Sequence, residues 1–225
     1  MAIAAAFLIA WMQMSPVALA EGKDAEQPTI DANEEVLNTL NFDNIDDFDL
    51  ATEGFIDKLD PALIPQESGS FWNLEWYQFL LEGESNPWRP KGMLPPPPDT
   101  VNPSLWRQAQ LNMQHGLYEV VPGIYQLRGY DLSVMTLVEG DTGWILIDPL
   151  LSNETAAAAL DLANTNITEM NLPKHPFRRQ PLDVSAVIYT HSHTDHFAGI
   201  KGIVEPEEIQ STSNPNGIPI YAPEG

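Results

Sequence analysis

The chain has 225 residues, 43% of them hydrophobic, and a formal net charge of -22 at pH 7. That charge excludes nucleic acid and anionic membrane surfaces as partners, because both are bound through Lys and Arg. The absence of cysteine removes disulfides, thiolate nucleophiles and cysteine-type metal sites together.

Residues 1–20 hold no charged side chain and run through Ala4-Ala5-Ala6-Phe7-Leu8-Ile9-Ala10-Trp11 to Ala18-Leu19-Ala20. An apolar core ending in a small-x-small site reads as a cleaved secretory signal peptide. The run is short for a bilayer span. A periplasmic or secreted protein with no membrane span after cleavage is therefore expected.

Residues 21–93 read as an acidic N-terminal arm or cap. Between residues 21 and 60 there are 13 acidic side chains against two lysines, which is half of the net charge. The apolar positions of 31–60 suit short helical turns more than long strands. Trp72, Trp76, Phe79 and Leu80 recur at i, i+4, i+7 and i+8, which predicts a helix with one apolar face. Leu94-Pro95-Pro96-Pro97-Pro98-Asp99 must be extended and reads as a spacer. A short capped helix is expected over 104–111.

From Leu117 the pattern becomes strand-like. Tyr118–Val121 and Gly123–Leu127 predict one hairpin, and Val134–Val138 with Trp144–Ile147 a second, joined through Gly140-Asp141-Thr142-Gly143. Asp148-Pro149 stops the last strand. Asn153–Ala163 is Ala- and Leu-rich and predicts a helix. Residues 165–181, with three prolines, read as a loop. Val184–Tyr189 is a strand of the buried type, Phe197–Val204 a helix start, and 218–221 a final strand. Hairpins followed by helix, strand, helix and strand describe an α/β (α+β) domain, here assigned to residues 94–225.

Three of the five histidines fall in His191-Ser192-His193-Thr194-Asp195-His196. Imidazole and carboxylate are the ligands that hold zinc and similar divalent ions. In an extended segment, residues two apart point the same way, so His191 and His193 can reach one ion. Asp195 and His196 follow a turn and can reach a second ion. Two ions about 3.5–4 Å apart share a hydroxide formed at neutral pH. Asp195, the candidate catalytic residue, would bind one ion and orient that hydroxide. Asp148, ending a strand, is a candidate to accept the second N–H of a ligating imidazole. His115 and His175 stand apart and read as loop residues. Four ligands are too few for two catalytic ions, since zinc normally takes three from the protein. The chain therefore reads as part of a larger protein, and the isolated 225 residues are expected to be inactive.

The run after Val187-Ile188-Tyr189-Thr190 resembles the first metal motif of the metallo-β-lactamase superfamily. Asp99–Gln108, Gly123–Leu132, Glu139–Trp144 and Tyr221–Gly225 resemble the alkyl sulfatases of that superfamily, exported enzymes that degrade dodecyl sulfate. The resemblance implies the first half of an αββα sandwich preceded by the N-terminal arm. It implies two zinc ions, His191 and His193 serving one, Asp195 and His196 the other, with the remaining ligands beyond Gly225. It further implies hydrolysis of primary alkyl sulfates to alcohol and sulfate, and a homodimer in the full-length protein. Other superfamily substrates (a lactam, thioester or lactone) and a non-catalytic fragment are the alternatives. An alkyl sulfate is an anion meeting an acidic protein, so its affinity would rest on the cations and on the alkyl tail, at about 0.8 kcal/mol per buried CH₂.

Overall fold

The computed structural model describes residues 23–82, 94–169 and 183–224. The signal-peptide reading of 1–20, the end of the arm, His175 and most of the proline loop lie outside the described residues.

The acidic segment forms α1 (Gln27–Thr39) and α2 (Asp46–Thr52). Asp46, Asp47 and Asp49 sit in the first turn of α2, where the helix dipole favours negative charge. Three short strands follow: β1 (Phe55–Asp57), β2 (Leu63–Pro65) and β3 (Phe71–Asn73). The helix expected from Trp72 onward does not form. Trp72 pairs across strands with the buried Ile64, and only Phe79–Glu82 is helical (α3). Trp76 and Phe79 stay exposed, at 70% and 55%, while Leu80 is buried and Trp72 packs against the core, so the four side chains do not line one apolar face. Cross-strand pairing within a hairpin overrides helical periodicity here.

After the proline stretch comes α4 (Pro103–Leu111), started by Asn102, whose side chain accepts from the amides of Ser104 and Leu105. Then follow β4 (Gly116–Val121), β5 (Ile124–Arg128), β6 (Met135–Glu139), β7 (Trp144–Ile147), α5 (Asn153–Glu169), β8 (Val184–Ile188) and β9 (Ile220–Tyr221). They build one sheet in the order β1-β4-β5-β6-β7-β8-β9. β4 to β7 form an antiparallel meander, and β1 adds an antiparallel edge. β7, β8 and β9 run parallel, with α5 as the crossover between β7 and β8.

Alternation along the strands sets the core. Tyr125, Leu127, Met135, Leu137, Trp144 and Leu146 are buried on one face. Ala156, Ala159, Ala163 and Ile167 of α5 belong to the same cluster; their helical spacing and small size let the helix settle close to the sheet. On the other face Val138, Ile145, Ile147 and Ile188 are only half-buried.

Two boundaries differ from the sequence reading. Residues 165–169 are the last turn of α5 rather than loop; the first proline of that stretch is Pro173, so nothing stops the helix earlier. The helix expected over 197–204 is replaced by two 3₁₀ turns, Thr194–His196 and Ala198–Gly202. The Gly199 amide is diverted to the carbonyl of Leu150 at 3.0 Å. A Cβ on Gly199 would stand 2.1 Å from the carbonyl oxygen of Pro149, and one on Gly202 1.9 Å from that of Asn153. The backbone here docks directly on the start of α5, which only glycine permits. Among the described residues no helix is long and apolar enough to cross a membrane.

Candidate metal centre

The parallel strands β7 and β8 end on the same edge of the sheet, the place where open α/β sheets put their chemistry. Asp148 follows β7, and Thr190-His191 follows β8. Asp148 is 6% exposed and takes a left-handed backbone, φ 55°, a conformation that an aspartate tolerates better than most residues. Its amide donates to the Ile188 carbonyl at 3.0 Å.

Both carboxylate oxygens of Asp148 are used. Oδ1 accepts the Thr190 amide at 2.8 Å, and Oδ2 accepts the Thr190 hydroxyl at 2.7 Å. Oδ2 also lies 2.7 Å from His196 Nδ1. The carboxylate accepts, so Nδ1 carries the proton and Nε2 of a neutral His196 is left with its lone pair. That is the tautomer a metal-ligating imidazole needs. Thr190 Oγ1 also lies 2.9 Å from His191 Nδ1.

The three imidazoles gather. The His191 ring centroid is 4.6 Å from that of His193 and 4.0 Å from that of His196. The rings thus make one cluster, with His196 nearer to His191 than His193 is. His196 Nε2 and Asp195 Oδ2 are 3.3 Å apart. Two donors on one tetrahedral ion with bonds of 2.0–2.1 Å are separated by about 3.3–3.4 Å, so this pair fits a shared divalent cation. Among the described residues, no three His, Asp or Glu side chains converge as ligands of a single ion. His191 and His193 are exposed; Asp195 and His196 are half-buried. Tyr189 packs on Phe197 with centroids 5.9 Å apart, which braces the turn from beneath, and burial pushes the Tyr189 hydroxyl pKa up.

Sequence reasoning missed several contributors. Asp131, in the loop after β5, accepts the amide of Leu151 at 3.0 Å and the hydroxyl of Thr155 at 2.6 Å. Ser133, in the same loop, donates its hydroxyl to the Asp195 carbonyl. Thr190 links Asp148 to His191. Apart from the neighbouring Thr190 and His191, these contacts span 20 to 62 positions of sequence, so no local pattern announces them. His115 lies just ahead of β4 and is a loop residue, as read, but a buried one at 6% exposure. It stands near Lys58 and Gln114 beside a cavity of about 430 Å³ between α2, β1, α3 and β4.

Residues 128–224 match the model of the metallo-β-lactamase superfamily. The chain is 45% identical over 204 residues to a linear primary-alkylsulfatase of Pseudomonas sp., covering 90% of this chain and 26% of that protein. It is 38% identical over 223 residues to an (R)-specific secondary-alkylsulfatase, also of Pseudomonas sp., covering 98% and 29%. Among solved structures, the stereoselective inverting sec-alkylsulfatase from Pseudomonas sp. superposes with a TM-score of 0.69 at 38% identity, covering 90% of this chain and 28% of that one. The mixed sheet with its parallel crossover is thus part of a metallo-β-lactamase fold. The chain spans between a quarter and a third of the length of these relatives.

Proposed function

We propose that this chain, which carries a metallo-β-lactamase superfamily domain over residues 128–224 and has alkylsulfatase homologues along most of its length, is part of an exported zinc-dependent hydrolase of primary alkyl sulfates. The observation that carries the metal reading is the His196 ring. Its Nδ1 is anchored on the buried Asp148 at 2.7 Å, and its Nε2 stands 3.3 Å from Asp195 Oδ2. Higher identity to the primary-alkylsulfatase than to the secondary one favours a primary substrate.

In this reading His191 and His193 hold one ion, and Asp195 with His196 the other. Bound divalent ions would supply positive charge to polarise a sulfate ester and a water nucleophile ionised near neutral pH. The chain's own residues do the positioning. Asp148 fixes the ring of His196 and, through Thr190, the ring of His191. Asp195 supplies the carboxylate that orients the attacking water toward sulfate. With two protein ligands per ion instead of the usual three, each ion takes further ligands from outside these residues, and the isolated chain is inactive. The full-length protein is a homodimer. Residues 1–20, as a signal peptide, direct it to the periplasm or medium.

The test is sulfate release from dodecyl sulfate by the full-length protein. Activity should vanish with a chelator, return with zinc, and fall by at least about 100-fold in His193→Ala. Activity that survives both treatments rejects the reading. Fractionation and N-terminal sequencing test export and cleavage after Ala20, and sedimentation tests the dimer.

A further inference from the structure

Ser133 lies between β5 and β6, 6% exposed, and its hydroxyl donates to the main-chain carbonyl of Asp195. Asp195 is the middle residue of a three-residue 3₁₀ turn. In that turn the amide of His196 bonds the His193 carbonyl at 3.0 Å, and the amide of Phe197 bonds the Thr194 carbonyl at 3.2 Å. The carbonyl of Asp195 comes next, at the C-terminal end, where helical turns leave acceptors without an internal donor. Ser133 supplies that donor from 62 positions away.

Ser133 is itself held. Its amide donates to Asp131 Oδ1 at 3.2 Å, and Asp131 Oδ2 takes the Leu151 amide and the hydroxyl of the fully buried Thr155. An unbroken set of hydrogen bonds therefore runs from the first turn of α5 to the Asp195 peptide. The other ligand of the same ion is held differently: Asp148 fixes His196 through its ring.

We propose that Ser133 is a positioning residue of the metal centre. It sets the Asp195 peptide so that the carboxylate presents itself beside His196 Nε2. This rests on the reading that Asp195 and His196 share an ion. Without the hydroxyl the peptide is free to rock, and the donor spacing that matches a tetrahedral ion is no longer imposed.

The experiment is a cobalt(II) and zinc titration of the full-length protein, followed by visible absorption and by competition with a chelator. It compares wild type, Ser133→Ala and Ser133→Thr, each with and without Asp195→Asn. Ser133→Ala should weaken binding on the order of 10-fold and shift the cobalt bands. Ser133→Thr, which keeps the hydroxyl, should restore both. In the Asp195→Asn background the Ser133→Ala change should add nothing. Should Ser133→Ala not fold, judged by metal-free melting, Ser133→Cys keeps the volume with a weaker donor and carries the same comparison. Wild-type affinity and an unshifted cobalt spectrum in Ser133→Ala overturn this inference alone. So does an equal further loss in the Asp195→Asn background. A wild-type full-length protein that binds no metal overturns the metal reading, and this inference with it.

Discussion

Asp148 shows how one buried side chain can hold a whole turn. Its carboxylate meets the Thr190 amide, the Thr190 hydroxyl and the His196 ring. Asp148→Asn keeps the shape but replaces one acceptor oxygen with a donor, which faces other donors. Metal affinity should fall between about 10- and 100-fold, measured by chelator competition, with a smaller cost in metal-free stability. His115 makes a different prediction. Burial, and secondarily the nearby Lys58 ammonium, hold its pKa below the usual imidazole value. The unfolded chain therefore takes up this proton first. The stability tied to neutral His115 is fully present above pH about 6.5 and is lost as pH falls through the lower folded value. The urea midpoint should drop between pH 7.5 and pH 5.5, and the drop should shrink in His115→Asn; an equal drop in both would remove His115 as its source.

At the scale of elements, the metal turn depends on how closely Ala198–Gly202 seats on the start of α5. A Cβ at Gly199 meets the Pro149 and Ser152 carbonyls and Ala156 Cβ, all within 2.9 Å. Gly199→Ala should therefore destabilise the fold by about 1–3 kcal/mol and loosen metal binding with it; a shift in urea midpoint without loss of metal affinity would show that the turn is held independently of this seat. The N-terminal helices have their own clamp. Arg107 of α4 donates to both carboxylate oxygens of Asp47 in α2 and to the carbonyls of Phe42 and Asn44. Its cation sits 4.9 Å from the Phe48 ring centroid. The Arg107 side chain pulls the Asp47 pKa down, yet Asp47 is 43% exposed, so solvent screens the pair. Arg107→Ala should thus cost more stability than Asp47→Ala, because it also strips donors from two carbonyls and a cation from an aromatic face.

For the full-length molecule, an ion that binds the folded protein and not the unfolded one must stabilise it. At 100 times the dissociation constant the gain is about 2.7 kcal/mol, so zinc should raise the thermal midpoint. A chelator should reverse the rise, and Asp195→Asn should diminish it. The residue types for this chemistry, the hairpins of the meander and the Ala-rich crossover helix were legible in the sequence, because each is written in a short window: ligand types within six positions, alternation with period two, a turn between two strands. Ser133 was overlooked for the opposite reason: it meets Asp195 from 62 positions away, beyond the range of a local pattern. Trp72 was misread because its pairing with Ile64 across a hairpin competes with the helical spacing inside the same window. The sequence by itself set four imidazole and carboxylate side chains within six positions and ended a strand just before them. The tertiary structure alone decided where those side chains point, because Asp148 reaches the turn from the end of β7 and Ser133, held by Asp131, from the loop between β5 and β6, and only folding brings their hydrogen bonds within range.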